Sequence, residues 1–319
     1  MAKYKHEDEQ KPLNNPNDKF FKKLFGLIGV VQDYLNSQFP KQLSEKLNLN
    51  TLELDTTTYL TDELKEYYSD IVWRCQLLEK KATVNICFIF EHKSYVPDYP
   101  HIQIGDYKQG AYNKQLAAGQ PLSIVVPIVV YHGKRQWIIK PFSSYFGDVD
   151  EDFLRFVDPY DFYLTNLQDY PDETIEAFTN IFLMKGFLAL KHHTDKKYIR
   201  SHFVVLAFAG FEKNNSKEEF DFAKYFYVYL SNIVGGITKK EIDVQIEQIE
   251  DNIKKQAMYN YIEDILEKGI EKGKKIAIYE AYQRGGDLDL LSRLFDLPTK
   301  KIIQIIEEVK NMEQLKRKK

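Results

Sequence analysis

The run ATVNICFIFEHKS, residues 82–94, decides the architecture of this chain. Ala82 to Phe90 is almost continuously apolar, the pattern of a central strand covered on both faces. Glu91, His92 and Lys93 then end that strand with charges just as it leaves the core, and a loop with two prolines, Val96-Pro97-Asp98-Tyr99-Pro100, follows. Upstream, Lys80-Lys81 marks a turn, and Tyr67 to Leu77 alternates with a period of two. Tyr67, Ile71, Trp73, Cys75 and Leu77 share one face, and Asp70, Arg74 and Gln76 share the other, so Asp70 is expected among polar neighbours. Thr51 to Leu60, followed by Thr61-Asp62-Glu63, fits a preceding strand and turn.

Further out, Pro16 and the asparagines around it read as a helix start. Phe20, Phe21, Leu24, Phe25, Ile28 and Val31 then predict one helix over about 18–38. Downstream, a helix over 101–118 ends at Gly119-Gln120-Pro121, and the apolar run 123–131 supplies another strand. Helix, three strands, helix, strand is an α/β order in which the strands on either side of the second helix should be parallel neighbours. Beyond Gly133, residues 137–142 and 160–164 suggest short extended pieces, 171–190 a helix, and 199–234 a helix pair. From Lys239 the chain turns charged and helical, with Ile242, Ile246, Ile249 and Ile253 in helical spacing. It breaks at Gly285-Gly286 and closes with helices over 287–296 and 299–312 around Leu297-Pro298. The expected organisation is a flexible tail over 1–14, an α/β domain over 15–238 and a helical appendage over 239–319.

Composition narrows the function classes. The 319 residues are 44% hydrophobic and 29% charged, enough to close a core. Lys plus Arg at 44 against Asp plus Glu at 47 leave a net charge of −3, so no global basic field advertises nucleic acid. Cys75 and Cys87 are too few for a disulfide framework and lack CxxC spacing, which suits a reducing compartment. The opening MAKYKHEDEQ lacks the apolar core of a secretory signal, and the run 123–131 is too short to span a bilayer, so a cytoplasmic location without membrane contact is expected.

The most informative constellation is Asp70, Glu91 and Lys93. Glu91 and Lys93 are two apart on one strand and leave the same face, and a preceding strand of the same sheet can bring Asp70 beside them. Two adjacent carboxylates repel when ionised, and a hard divalent cation, Mg²⁺ or Mn²⁺, removes that penalty. Such a cation activates water and neutralises charge on a phosphodiester, while a lysine ammonium orients water or phosphate. The alternative for each charge is a solvated strand end or a surface ion pair.

The order of motifs resembles the PD-(D/E)XK nuclease superfamily and, within it, the Rpn family of recombination-promoting nucleases. Several segments carry the resemblance: 17–25 (NDKFFKKLF), Tyr68-Ser69-Asp70, Phe90-Glu91-His92-Lys93-Ser94, Gln103 to Tyr107, and 127–133 (PIVVYHG) with Trp137. The resemblance covers roughly 15–240, and the helical tail is similar too. It implies a restriction-endonuclease-like core with a mixed sheet flanked by helices, and a metal-dependent DNA endonuclease acting in recombination or on mobile or foreign DNA. It further implies Asp70 and Glu91 as metal ligands, the His92 backbone carbonyl as a further ligand, and Lys93 as the catalytic lysine. Ser69 stands where the superfamily name has Pro, and Asn17 where a His is often found.

Asp18 has two open readings, a helix-start carboxylate favoured by the dipole, which is preferred, or an outlying acid of the metal site. Gln103 and Tyr107, at i and i+4, resemble a Gln-x-x-x-Tyr pair that lines some sites of the superfamily; ordinary helix packing is the other reading. His92 alternates away from Glu91, and His101 and His132 have no metal-ligand spacing. Gly269 to Lys275 lacks the spacing of a phosphate loop, and no GxSxG or GxGxxG occurs. The tail helices suit homo-oligomer formation or docking, with a helix-turn-helix DNA reader as the alternative. A catalytically inactive DNA-binding or assembly module on the same scaffold is the competing reading of the whole chain.

Overall fold

The computed structural model describes residues 16–55, 69–79, 83–91, 96–207 and 217–317. The chain divides into two compact units at 245/246.

The first unit is built on a mixed five-stranded sheet in the order β1 (Leu47–Asp55), β2 (Ser69–Leu77), β3 (Thr83–Glu91), β4 (Ile124–Tyr131), β5 (Tyr163–Asn166). The pairs β1–β2 and β2–β3 are antiparallel, whereas β3–β4 and β4–β5 are parallel. The apolar run of β3 is thus central, with a strand on either side, which explains why it lacks alternation. The strand expected at 51–60 begins earlier, at Leu47; its residues 56–60 lie outside the described residues, as do Tyr67 and Tyr68.

Helices cover both faces. The single helix expected over 18–38 is two, α1 (Pro16–Leu24) and α2 (Ile28–Ser37). Gly26 disfavours helix continuation, and Leu27 takes an extended backbone at φ −86° and ψ 121°. The interruption frees the Phe25 carbonyl, which accepts the Trp73 indole N–H at 2.9 Å. α1 and α2 therefore lie on the Ile71/Trp73 face. Phe20, Phe21, Leu24 and Phe25 are fully buried there, each worth about 1.5–3 kcal/mol of apolar burial. The Tyr34 hydroxyl meets Thr165 Oγ1 at 2.6 Å, tying α2 to β5.

The opposite face is covered by α3 (Pro100–Ala117), whose Ile104, Tyr107 and Ala111 pack on Val72, Val125, Val129 and Tyr131, with Trp137 and Phe162 closing the cluster. Asp70 belongs to this face by alternation with Val72, so its row is less polar than the sequence suggests: Val72 is 1% exposed. Residues 137–142, expected to be extended, form no strand. Tyr160 has a left-handed backbone (φ 45°), so β5 begins only at Tyr163.

The helix expected over 171–190 splits into α4 (Asp172–Glu176) and α5 (Ile181–Lys191). The Asn180 side chain caps α5 by accepting the N–H groups of Phe182 and Leu183, both at 3.0 Å. The region 199–234 holds α6 (Lys196–Ser201), α7 (Phe203–Ala207) and α8 (Lys217–Val234); Tyr229 of α8 stacks on Phe20 at 4.0 Å. α9 (Lys239–Glu247) follows.

In the second unit, α10 (Asn252–Gln283), α11 (Leu288–Phe295) and α12 (Thr299–Arg317) enclose a small core of Ile278, Tyr279, Leu291, Ile302, Ile305 and Ile306. Gly285 (φ 95°) makes the first corner, and Asp287 caps α11 through Leu290 N–H at 2.7 Å. Among the described residues no helix is long and apolar enough to cross a membrane.

Candidate active site

The site expected from the sequence sits where β2 begins and β3 ends. Asp70 is the register partner of Ile89 on the antiparallel β3. Glu91 is two residues beyond Ile89, so it emerges on the same face as Asp70, one step along the diagonal. Diagonal Cβ atoms of an antiparallel pair are about 7–8 Å apart or somewhat less, within reach for two carboxylates meeting at one ion. The backbones of Asp70 and Glu91 are described, but their side chains are not, and His92 and Lys93 lie outside the described residues.

The face that Asp70 and Glu91 share is the one covered by α3, which carries Gln103 and Tyr107 one turn apart. Tyr107 is 2% exposed and belongs to the apolar cluster with Val72 and Tyr131. Gln103 is half-buried, and its Oε1 is inaccessible and accepts no hydrogen bond. A buried carbonyl oxygen without a donor costs roughly 1–3 kcal/mol. It is the kind of oxygen that a hard cation, an ordered water or a substrate N–H satisfies. Carboxylate and amide oxygens are hard donors, a chemistry that suits Mg²⁺ or Mn²⁺ rather than a thiophilic metal. Among the described residues no group of three or more His, Cys, Asp and Glu gathers as a metal site.

Asp18 approaches from elsewhere. It lies in the first turn of α1, on the sheet face opposite Asp70, and its charge raises the Tyr225 hydroxyl pKa, after the larger effect of burial. Its Oδ1 is buried and accepts no hydrogen bond. Cys75 is buried, donates to the Asn48 carbonyl at 3.3 Å and has its thiol pKa pushed up by burial, which makes it a poor nucleophile.

His101 and His132, which have no metal-ligand spacing in the sequence, are both buried, each 2% exposed. His101 lies under Phe142, Tyr145 and Phe162, and burial holds its pKa down. His132, just past β4, brings its Nδ1 to 3.1 Å from His193 Nδ1 at the end of α5. The only trace of this pairing in the sequence is a histidine at the end of an apolar run, which says nothing about its partner.

A second feature escaped the sequence. Glu91, Tyr131 and Asn166 are successive register partners at the carboxyl ends of β3, β4 and β5, so they form one polar row across three parallel strands. The ends of parallel strands are where open α/β sheets take ligands.

These features define a mixed α/β protein with acids at the open end of its sheet. The chain belongs to the family described as "Putative transposase, YhgA-like", whose model matches residues 15–218. Among curated relatives it is similar to the inactive recombination-promoting nuclease-like protein RpnE of Escherichia coli (strain K12), at 27% identity over 58% of this chain and 61% of that protein. It is also similar to the recombination-promoting nuclease RpnD of Escherichia coli O157:H7, at 24% over 38% of this chain and 47% of the relative. A third is the recombination-promoting nuclease RpnA of strain K12, at 28% over 39% and 42%. The chain thus spans roughly two fifths to three fifths of the length of these relatives. The family is nuclease-related and includes a member named inactive. No solved structure gives a significant match.

Proposed function

We propose that this protein is a metal-dependent DNA endonuclease with a restriction-endonuclease-like core. The diagonal relation of Asp70 and Glu91 on one sheet face is the observation that carries the reading. In it, Asp70 and Glu91 would hold Mg²⁺ or Mn²⁺, with the His92 carbonyl as a further oxygen, while Asp18, on the opposite sheet face, serves as a helix-start carboxylate. A bound Mg²⁺ supplies Lewis acidity and offsets negative charge on the phosphodiester. Lys93 orients the attacking water and the phosphate oxygens by its ammonium charge. Gln103 offers its unpaired carbonyl oxygen to the water or the substrate, and Tyr107 fixes the helix turn that carries Gln103. The water oxygen adds to phosphorus, one P–O ester bond breaks, and the departing oxygen takes up a proton. The acids, the lysine and the apolar wall formed by α3 confine that exchange to the sheet end.

DNA is the proposed partner, acted on in a recombination or mobile-element setting in keeping with the names of the relatives. The second unit is proposed to join copies of the chain: Leu290 and Leu294, one turn apart on α11, are 50% and 67% exposed.

Plasmid nicking in Mg²⁺, with and without EDTA, tests the reading. Cleavage that needs the metal and disappears in both Asp70→Ala and Glu91→Ala supports it, whereas cleavage that survives either substitution removes that residue from the mechanism. The name of RpnE favours one alternative, an inactive scaffold that binds DNA without cutting it. Retention of DNA with no strand breaks under Mg²⁺ or Mn²⁺ would establish that alternative.

A further inference from the structure

We infer that Tyr131 is a positioning residue for the acid site, holding the strand end from which Glu91 projects; the inference rests on the nuclease reading above. Four observations converge on this side chain. First, Tyr131 is the direct register partner of Glu91 on the adjacent parallel strand, so the two leave the sheet on the same face at the same level. Neighbouring strands lie about 4.8 Å apart, which makes Tyr131 the nearest lateral neighbour of Glu91 on that side.

Second, the phenol leans forward along the strand, over Gly133. A Cβ placed on Gly133 would collide with the phenol oxygen and stand 2.7 Å from ring carbon Cε2. Only glycine leaves room for this pose. Because β3 and β4 run in parallel register, the hydroxyl is carried past the level of Glu91, toward the carboxyl ends of the parallel strands.

Third, the pose is held from every side. The Trp137 ring meets Tyr131 edge-on at 5.2 Å, Tyr107 of α3 packs in the same cluster, and Tyr131 is 0% exposed. On its far side stands Asn166, its register partner on β5. Asn166 is 2% exposed; its Oδ1 accepts Gln168 N–H, and its Nδ2 is buried and donates no hydrogen bond.

Fourth, the next residue anchors the same strand end to the opposite layer, through the 3.1 Å contact of His132 with His193. The end of β4 is therefore clamped on both faces, which a purely apolar strand end would not require. A fully buried residue on the strand next to the one that carries Glu91 acts by holding the strand end from which that acid projects, rather than on the substrate. Groups that orient a metal ligand change metal affinity about 10–100-fold when removed.

The test compares wild type, Tyr131→Phe and Gly133→Ala by Mn²⁺ binding, followed by electron paramagnetic resonance of the free ion, by the Mg²⁺ requirement of plasmid nicking, and by thermal unfolding. Tyr131→Phe keeps the ring and loses only the hydroxyl. It should bind Mn²⁺ about tenfold or more weakly, and need correspondingly more Mg²⁺ for half-maximal cleavage, with its unfolding midpoint little changed. Gly133→Ala should weaken Mn²⁺ binding in the same direction by driving the ring out of its pose. Wild-type Mn²⁺ affinity in Tyr131→Phe overturns the inference and leaves the nuclease reading standing. Mn²⁺ affinity that falls only in step with the unfolding midpoint makes Tyr131 a packing residue and overturns it as well. A wild-type protein that neither binds Mn²⁺ nor cleaves DNA overturns the nuclease reading and this inference with it.

Discussion

The Trp73 indole nitrogen donates to the Phe25 carbonyl oxygen across 2.9 Å, joining the chain just beyond α1 to the middle of β2. Trp73 is 3% exposed and Phe25 fully buried, so the bond forms away from water. Trp73→Phe removes the donor, leaves that carbonyl without its partner and opens a small cavity. The expected loss is about 2–3 kcal/mol, combining an unsatisfied buried acceptor with lost packing. Urea denaturation should show a lower midpoint at unchanged slope.

The acid pair predicts opposite effects on stability and activity. Without a divalent ion, Asp70 and Glu91 are like charges on one sheet face, and Asp70→Asn relieves that repulsion. The apo variant should be as stable as wild type or more stable by about 0.5–1 kcal/mol, while cleavage falls by about a hundredfold or more. Calorimetry with and without Mn²⁺ checks this: the metal-dependent rise in melting temperature of the wild type should vanish in the variant.

Acid should act on the first unit in two separate windows. His193 is half-buried, and loss of hydration there lowers its pKa below the usual 6.5, which favours the neutral imidazole opposite His132. A depressed histidine contributes stability that is fully present above 6.5 and is lost as pH falls through the folded value. Asp172 also has a lowered pKa. Burial acts to raise it, but hydrogen bonds from Lys191 at 2.6 Å and His192 at 2.8 Å outweigh that effect. Its contribution is present above the unfolded value of about 3.9 and is lost only below it. Melting temperature should therefore decline as pH falls below about 6.5 in wild type and less so in His193→Gln, with a further decline below about pH 4 common to both.

The exposed leucines of α11 test assembly. Leu290→Glu with Leu294→Glu should leave the small core around Leu291 intact, because the two side chains point away from it. If copies join through this helix, light scattering on the full-length chain should register a lower mass for the double variant; equal masses would remove α11 from the interface.

Much of the first unit is legible from local pattern. The unbroken apolar run before Glu91 identifies a central strand, and the odd and even alternation of β2 sets Asp70 apart from Trp73 and Cys75, as it stands in the structure. The helix from Pro100 and the parallel strand after it follow from stop signals and element order. What failed locally did so for identifiable reasons. The interruption after Leu24 gains a hydrogen bond from a tryptophan nearly fifty residues away, and α5 starts where it does because Asn180 caps it. Neither partner is visible within a helical window.

By itself, the sequence determined the central strand, the strands on either side of it and the helix that starts near Pro100, and that a charged residue stands at the end of that central strand. Those properties depend on side-chain periodicity within a few residues. Only the tertiary structure decided that Asp70 lies diagonal to Glu91, that Glu91, Tyr131 and Asn166 form one row, and that His132 meets His193. Register and facing layers are set by the joint packing of segments far apart in the chain, and a shift of one residue would turn every side chain of a strand to the other face.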